Sequence, residues 1–260
     1  MTDPISRRAA LGLVAGGLAM PAFAQRRREL DVPFVPTPHM LVEQMLDLAG
    51  VTAQDYLIDL GCGDGRIAVA AGLRGARALG VDIEAVRIQE AAAAARIAGV
   101  EGHVRFRRQD LFATPIHEAS VVAIYLLPDI NLRLRPKLLT ELPAGARVIS
   151  HAFDMGDWAA DETQQHDGRR IFLWHVPAVA GGSWEVTGTD GSYRLLELEQ
   201  RFQEIQGSVS GNGASVALSG RLRGAVLGLA SVDGSVRLEG RVDGDRILGE
   251  NGSWQATRVG

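Results

Sequence analysis

Tyr56-Leu57-Ile58-Asp59-Leu60-Gly61-Cys62-Gly63-Asp64-Gly65 is the stretch whose reading decides the fold. Its apolar beginning predicts a buried parallel strand, its glycines a tight turn, and Arg66 onward a helix. Glycines at alternate positions leave no side chain where backbone passes over a ligand. The helix start adds unpaired N–H groups and the positive end of a dipole. Asp59, at the strand end, is placed to receive an ammonium group.

Spacing narrows the ligand. A dinucleotide fingerprint reads GxGxxG; here the pattern is GxGxG, with an acid two residues before the first glycine. Downstream, Ala78-Leu79-Gly80-Val81-Asp82 predicts a second strand ending in a carboxylate. Asp82 is placed for two ribose hydroxyls and Ile83 for one face of an adenine. Asp110, followed by Leu111, closes a third strand (Val104-Arg105-Phe106) and is placed for the adenine amine. Taken singly, Asp82 and Asp110 read as ordinary strand-end turn residues; in series they outline a zwitterion joined to a nucleoside, the chemistry of S-adenosylmethionine. Gly61, Cys62, Gly63 and Gly65 complete the expected cofactor set, Cys62 as a small space-filling residue.

Asp59 to Arg66 followed by Val81-Asp82-Ile83-Glu84 resembles motif I and its partner strand in class I S-adenosylmethionine-dependent methyltransferases. Pro33-Phe34-Val35-Pro36-Thr37-Pro38, a helix through Met45-Leu46, and Tyr125-Leu126-Leu127-Pro128 before Lys137-Leu138-Leu139 are similar to a narrower group. That group includes the mitochondrial lysine methyltransferases acting on the ATP synthase c subunit and the adenine nucleotide carrier. The likeness runs from about Val32 to Trp158 and departs from the group at Cys62, where serine is more familiar. It implies a Rossmann-like sheet with a terminal antiparallel hairpin, methyl transfer to an amine, with protein lysine as the expected acceptor, and Thr37 in a flap near the cofactor carboxylate. It also places the segment after the fourth strand at the methyl-transfer site. There, amine methyltransferases often carry an Asn/Asp-Pro-Pro-aromatic motif that Leu127-Pro128 matches in part. The carbonyls near Leu126 and Leu127, stiffened by Pro128, are then expected to orient the amine, with Asp129 or Tyr125 as proton acceptor. As a core strand aromatic, Tyr125 would need no such role.

The remaining chain bounds the setting. With 260 residues, 46% of them hydrophobic, one large and one small domain can be buried. Ser6-Arg7-Arg8, an apolar run to Met20 and Ala22-Phe23-Ala24 have the layout of a twin-arginine signal over residues 1–24. This predicts an exported, periplasmic chain; an uncleaved inner-membrane anchor is the alternative, and no stable span is expected in the mature chain. Removal of residues 1–24 shifts the net charge from −4 to −5. Beyond Arg26 to Arg28 no basic stripe interleaves with aromatics, so nucleic acid is not an expected partner. One cysteine and six histidines without HxH or HExxH spacing give no metal site. His151, at the end of the fifth strand, is the one histidine placed near the chemistry.

Between Leu41 and Val176, strands alternate with helices, as in a covered parallel sheet. Thr37 and Pro38 predict a cap and first turn for a helix to about Ala49; Glu84 to Gly99 predicts another. Strands follow over Val121–Leu126 and Ala146–Ala152, with a helix over Leu132–Leu142 between them. Thr163–His166 and Arg170–Val176 flank Asp167-Gly168, a type I′ hairpin signal. The methyltransferase domain therefore spans 25–178. After a linker at Ala178–Gly182, residues 183–260 turn glycine-rich, with alternating runs at Tyr193–Gln200, Ser215–Leu222, Val236–Val242 and Trp254–Arg258. Asn212-Gly213, Asp233-Gly234 and Asp243-Gly244 mark turns, so a small antiparallel barrel is expected. A small-molecule methyltransferase and a non-catalytic envelope protein retaining the fold are the competing readings.

Overall fold

A computed structural model describes residues 35–188, 193–211 and 213–259. The signal-like segment 1–24, Arg26 to Arg28, Phe34 of the expected flap and Asn212 lie outside the described residues.

The first sheet carries β1 (Tyr56–Leu60), β2 (Arg77–Asp82), β3 (Val104–Arg108), β4 (Val121–Ile124), β5 (Arg147–His151), β6 (Glu162–His166) and β7 (Arg169–His175) in the order β3-β2-β1-β4-β5-β7-β6. β1 to β5 are parallel; β7 runs antiparallel to β5 and β6 antiparallel to β7. Asp167 and Gly168, with φ of 48° and 76°, make the expected type I′ turn between them. Helices α1 (His39–Leu48), α2 (Arg66–Leu73), α3 (Ala85–Ala98) and α4 (Pro128–Glu141) connect and cover the strands.

Alternation along the strands divides the core. Leu57, Val121 and Ile149 join Leu41, Val42, Met45 and Ala68 of α1 and α2. Ile58, Val122 and Val148 join Ile130, Leu134 and Leu138 of α4 on the opposite face, with Trp158 and Trp174. Asp59 is in phase with Leu57, so strand periodicity turns it toward the α2 side. The strand order reverses at β1, and a ligand crevice opens at the strand C-termini beside such a switch point.

Three local expectations are corrected. Pro38, not Thr37, precedes α1, and no side chain caps that helix. β4 ends at Ile124, and α4 opens at Pro128, four residues before the expected start. Proline suits the first helical position because its missing N–H is not needed there.

The second architecture is an eight-stranded up-and-down barrel: β8 (Gly182–Gly188), β9 (Tyr193–Arg201), β10 (Glu204–Gly211), β11 (Ala214–Arg223), β12 (Val226–Ala230), β13 (Arg237–Asp243), β14 (Arg246–Gly249) and β15 (Trp254–Arg258). Each strand pairs with the next, and β15 returns to β8 to close it. Trp184, Leu196, Ile205, Leu222, Leu227 and Ile247 fill the interior. Glycine permits the tight wall: a Cβ on Gly220 would stand 1.9 Å from the Gly228 carbonyl oxygen. The β13–β14 loop is Gly244-Asp245, one residue later than expected, because Asp243 pairs with Arg246. The linker is tied down: Gln200 accepts from the amides of Ala180 and Gly181 and donates to the Ala178 carbonyl. Among the described residues, no helix is long and apolar enough to cross a membrane.

Candidate functional site

The glycine turn leaves β1 with Gly61, Gly63 and Gly65 at φ of 82°, 52° and 81°, the region glycine adopts without strain. The amides of Gly61 and Cys62 both donate to the Val81 carbonyl at 2.9 Å, which stitches the turn to β2. Two of its glycines serve packing. A Cβ on Gly61 would meet Leu126 Cδ2 at 2.9 Å, and one on Gly65 would meet Ala91 and Phe106 at 2.7 Å. The expectation that every glycine clears space over a ligand is corrected for these two. Gly65 instead lets α2 start close to α3 and β3. Cys62 is buried, and a Cβ on Gly80 would stand 2.9 Å from its Sγ.

Asp59 is 2% exposed, and its Oδ2 has no hydrogen-bond partner. Burial, reinforced by the charges of Asp82 and Asp64 and opposed by the Ala68 amide, pushes its carboxyl up to about 8. A buried carboxylate of this kind is stabilised by a cation. α2 begins beside it without a side-chain cap. Arg66, in the first turn, pairs with Asp64 and donates to the Thr37 carbonyl at 2.6 Å. The role of Asp64 and Arg66 as a brace for residue 37 was missed; the Asp-Gly-Arg triplet was its only trace in the sequence.

Asp82 accepts from the Gly63 amide at 3.0 Å and the Glu84 amide at 2.9 Å, fixing its carboxylate between the turn and α3. Ile83 beside it is 38% exposed. The Gln109 amide donates to the Asp82 carbonyl at 2.9 Å, which ties the end of β3 to β2. Asp110 is exposed and accepts from the Phe112 amide, capping a short 3-10 turn over Leu111–Ala113. Leu111 is half-buried at its start.

On the other side of the turn, Tyr125 and His151 follow β4 and end β5. Their rings lie 3.9 Å apart, and Phe153 stacks on Tyr125 at 6.4 Å. His151 is 2% exposed; its Nδ1 lies 3.1 Å from Thr37 Oγ1. Burial, with the charge of Arg169, brings its imidazole down to about 4, so it is neutral at pH 7. Thr37 is therefore spent on His151 and Arg66 rather than on capping α1.

The Leu127 carbonyl is committed to the Asn131 amide at 3.0 Å as the first bond of α4. A carbonyl oxygen has a second lone pair, so this bond leaves the orienting role expected of it open. Leu126 is buried against Gly61. Pro128 and Asp129 are exposed in the first turn of α4, where an acid complements the helix dipole. That accounts for Asp129 without chemistry. Asn131 is fully buried, and its Nδ2 donates to the carbonyls of Phe153 and Asp154 at 3.3 and 3.2 Å. Neither Asn131 nor Phe153 was singled out, since only the folded loop brings them to the site. Among the described residues, no cluster of metal-ligating side chains occurs.

A sheet of this order, ending in an antiparallel hairpin and carrying this glycine turn, defines a class I S-adenosylmethionine-dependent methyltransferase. A family model for the ANTKMT methyltransferase domain matches residues 59–162, a span that excludes the barrel. A protein-lysine N-methyltransferase of Saccharolobus islandicus is 43% identical over 133 residues, 50% of this chain and 83% of its own length. The adenine nucleotide translocase lysine N-methyltransferase of Mus musculus is 34% identical over 160 residues, covering 61% of this chain and 69% of the mouse protein. Among solved structures, an RNA methyltransferase from Salinibacter ruber in complex with S-adenosyl-L-homocysteine is 46% identical with a TM-score of 0.54. It covers 55% of this chain and 94% of its own. The chain belongs to the ANTKMT-type methyltransferase family, and its cofactor is S-adenosylmethionine.

Proposed function

We propose that this enzyme methylates the side-chain amine of a protein lysine. The observation that carries the reading is the Tyr125–His151–Phe153 wall beside the glycine turn, where the one titratable imidazole is held neutral. A lysine amine is only ~0.04% deprotonated at pH 7, a cost of about 4.6 kcal/mol for exposing the free base. An uncharged aromatic wall lowers that cost by desolvating the ammonium. The lysine substrates named for the Saccharolobus and mouse relatives support the same acceptor class.

The residues present fit the cofactor. Asp59, buried and unpartnered at Oδ2, would take its ammonium, with the α2 amides nearby for its carboxylate. Asp82 would hold the ribose hydroxyls, while Ile83, Leu111 and Asp110 would bound the adenine. Gly63 and Cys62 would pass beneath it. When bound, the cofactor supplies a methyl on a sulfonium, already activated as a leaving group. The chain's own residues hold acceptor and donor in line and exclude water. Tyr125 would accept a hydrogen bond from the amine at its phenol oxygen, the departing proton would leave to solvent, and the Leu126 carbonyl would orient the amine.

The signal-like residues 1–24 support export of the folded chain. Mass measurement of the mature protein from fractionated cells checks this: a start near residue 25 in the periplasm is expected, and an intact leader in the membrane would sink it. The acceptor test uses tritiated S-adenosylmethionine with the purified chain and extracted protein, RNA and small-molecule pools. Label is expected in protein, at lysine by mass spectrometry. Label in RNA would favour the chemistry named for the Salinibacter relative, and label in small molecules alone would overturn the lysine reading.

A further inference from the structure

The loop between β5 and β6 starts at the acceptor wall and ends against the barrel. It leaves His151 through Ala152, whose φ of 68° is costly for a residue bearing a Cβ. Phe153 comes next, held from the sheet side by Ser150 and Asn131. Farther along, Trp158 is fully buried between Trp174 at 5.7 Å and Phe202 at 6.2 Å. Phe202 belongs to the barrel. With Gln203 it forms the two-residue turn joining β9 to β10, since Arg201 pairs with Glu204.

That turn departs from what such turns ask for. Phe202 has φ of 55°, where asparagine or glycine is favoured. Its ring stacks on Trp158, and the Arg135 guanidinium of α4 lies 5.2 Å from the ring centroid. Arg135 also donates to the Met155 carbonyl at 2.7 Å and pairs with Asp157, which Arg201 reaches from the barrel at 2.9 Å. Gln203 is 1% exposed, and its Nε2 donates to the Ala159 carbonyl at 2.7 Å. Two residues of a barrel hairpin thus grip the loop that carries the acceptor wall. On the cofactor side, Asp82 accepts from the Gly63 and Glu84 amides and Asp110 from the Phe112 amide, all within the sheet domain.

We propose that the Phe202-Gln203 turn is a positioning device for methyl transfer: it clamps residues 155–161 and so fixes where Phe153 and His151 stand against Tyr125. The barrel then sets the geometry of the acceptor side while leaving cofactor affinity alone. This rests on reading Tyr125, His151 and Phe153 as the acceptor wall.

The test uses the full chain with Phe202→Gly, which keeps the left-handed turn and deletes the ring, and Phe202→Tyr as the conservative control. Two nucleosides report separately on the two sides. S-adenosylhomocysteine has nothing where the methyl would be; sinefungin places an amine there. In Phe202→Gly, calorimetry is expected to give S-adenosylhomocysteine affinity within twofold of wild type and sinefungin binding at least fivefold weaker. Residues 152–161 should lose hydrogen-exchange protection, and Phe202→Tyr should behave as wild type. Equal losses for both ligands, unchanged sinefungin binding, or unchanged exchange would overturn the proposal. Gln203→Met, which keeps length and removes the donor, gives the same split if Phe202→Gly does not fold. If wild type bound neither nucleoside, the cofactor assignment would fail by itself, and the exchange of residues 152–161 would still decide the clamp.

Discussion

Asp59 shows how a single buried carboxyl links binding to pH. Its carboxyl is pushed up to about 8 mainly by burial. Between the ordinary carboxylate range near 4 and pH 8, the folded chain holds a proton that the unfolded chain has lost. Native stability therefore falls as pH rises through that window. Asp59→Asn is expected to melt higher than wild type at pH 9 yet bind S-adenosylhomocysteine more weakly; a lower melting temperature would refute the assignment. In wild type, ligand binding at pH 6.5 should release about one proton, visible by calorimetry in buffers of different ionisation enthalpy. His151 has the opposite sign. Its imidazole is brought down to about 4, so the unfolded chain takes the proton first and stability falls as pH drops from 6.5 toward 4. His151→Phe should flatten that acid limb in a series of melting curves, whereas an unchanged slope would mean another group causes it. Asp59 was legible because it stands in a spaced motif. Phe153 and Asn131 were not, since neither has a pattern before α4 and the loop after β5 come together.

The elements around the glycine turn were legible for a related reason: strand, turn and helix are each encoded locally. What the turn's glycines do was less visible, because Gly65 is constrained by Ala91 and Phe106, distant in sequence. Gly65→Ala combines overpacking with a left-handed φ and should cost about 2–4 kcal/mol in a urea titration. A loss below about 1 kcal/mol would show that α3 can yield there. Asp82→Ala should weaken S-adenosylhomocysteine binding by about 1–3 kcal/mol, since its carboxylate orders the turn and is proposed to hold the ribose. Unaltered affinity would move the ribose elsewhere. The end of β4 was misjudged because Tyr125-Leu126-Leu127 continues an apolar run; Pro128 was the signal that a helix had begun. In the barrel, β8, β10, β12 and β14 escaped individual notice, as each is short or contains glycine that dilutes alternation.

At the level of the whole chain, a parallel sheet and a closed barrel could have been independent bodies. The seam argues against it. Trp158 packs on Phe202, Gln203 bonds Ala159, the Ala178 amide bonds the Gly224 carbonyl, and a Cβ on Gly224 would stand 2.7 Å from Gly145 Cα. Ion pairs from Arg221 to the buried Asp161 carboxylate and from Arg223 to Glu162 flank this contact; the second, exposed on both sides, adds little beyond registry. We expect a single calorimetric unfolding transition for residues 35–259, with van't Hoff and calorimetric enthalpies in agreement. Two resolved transitions would show that sheet and barrel unfold separately. None of this seam could be read from composition, which marks only a change in texture after Gly182.

Closure of the barrel by β15 against β8 also bears on how the chain is made. The two strands that meet are the first and last of the barrel to leave the ribosome. Until Trp254–Arg258 emerge, β8 and β14 each keep an unpaired edge open to neighbouring nascent chains. The catalytic half, complete in sequence by His175, leaves the ribosome earlier, and the Trp158 loop gains its barrel contacts only when Phe202 and Gln203 follow. Ribosome stalling before residue 254 would thus leave a sheet edge without the strand that closes it, the kind of surface that holding chaperones cover.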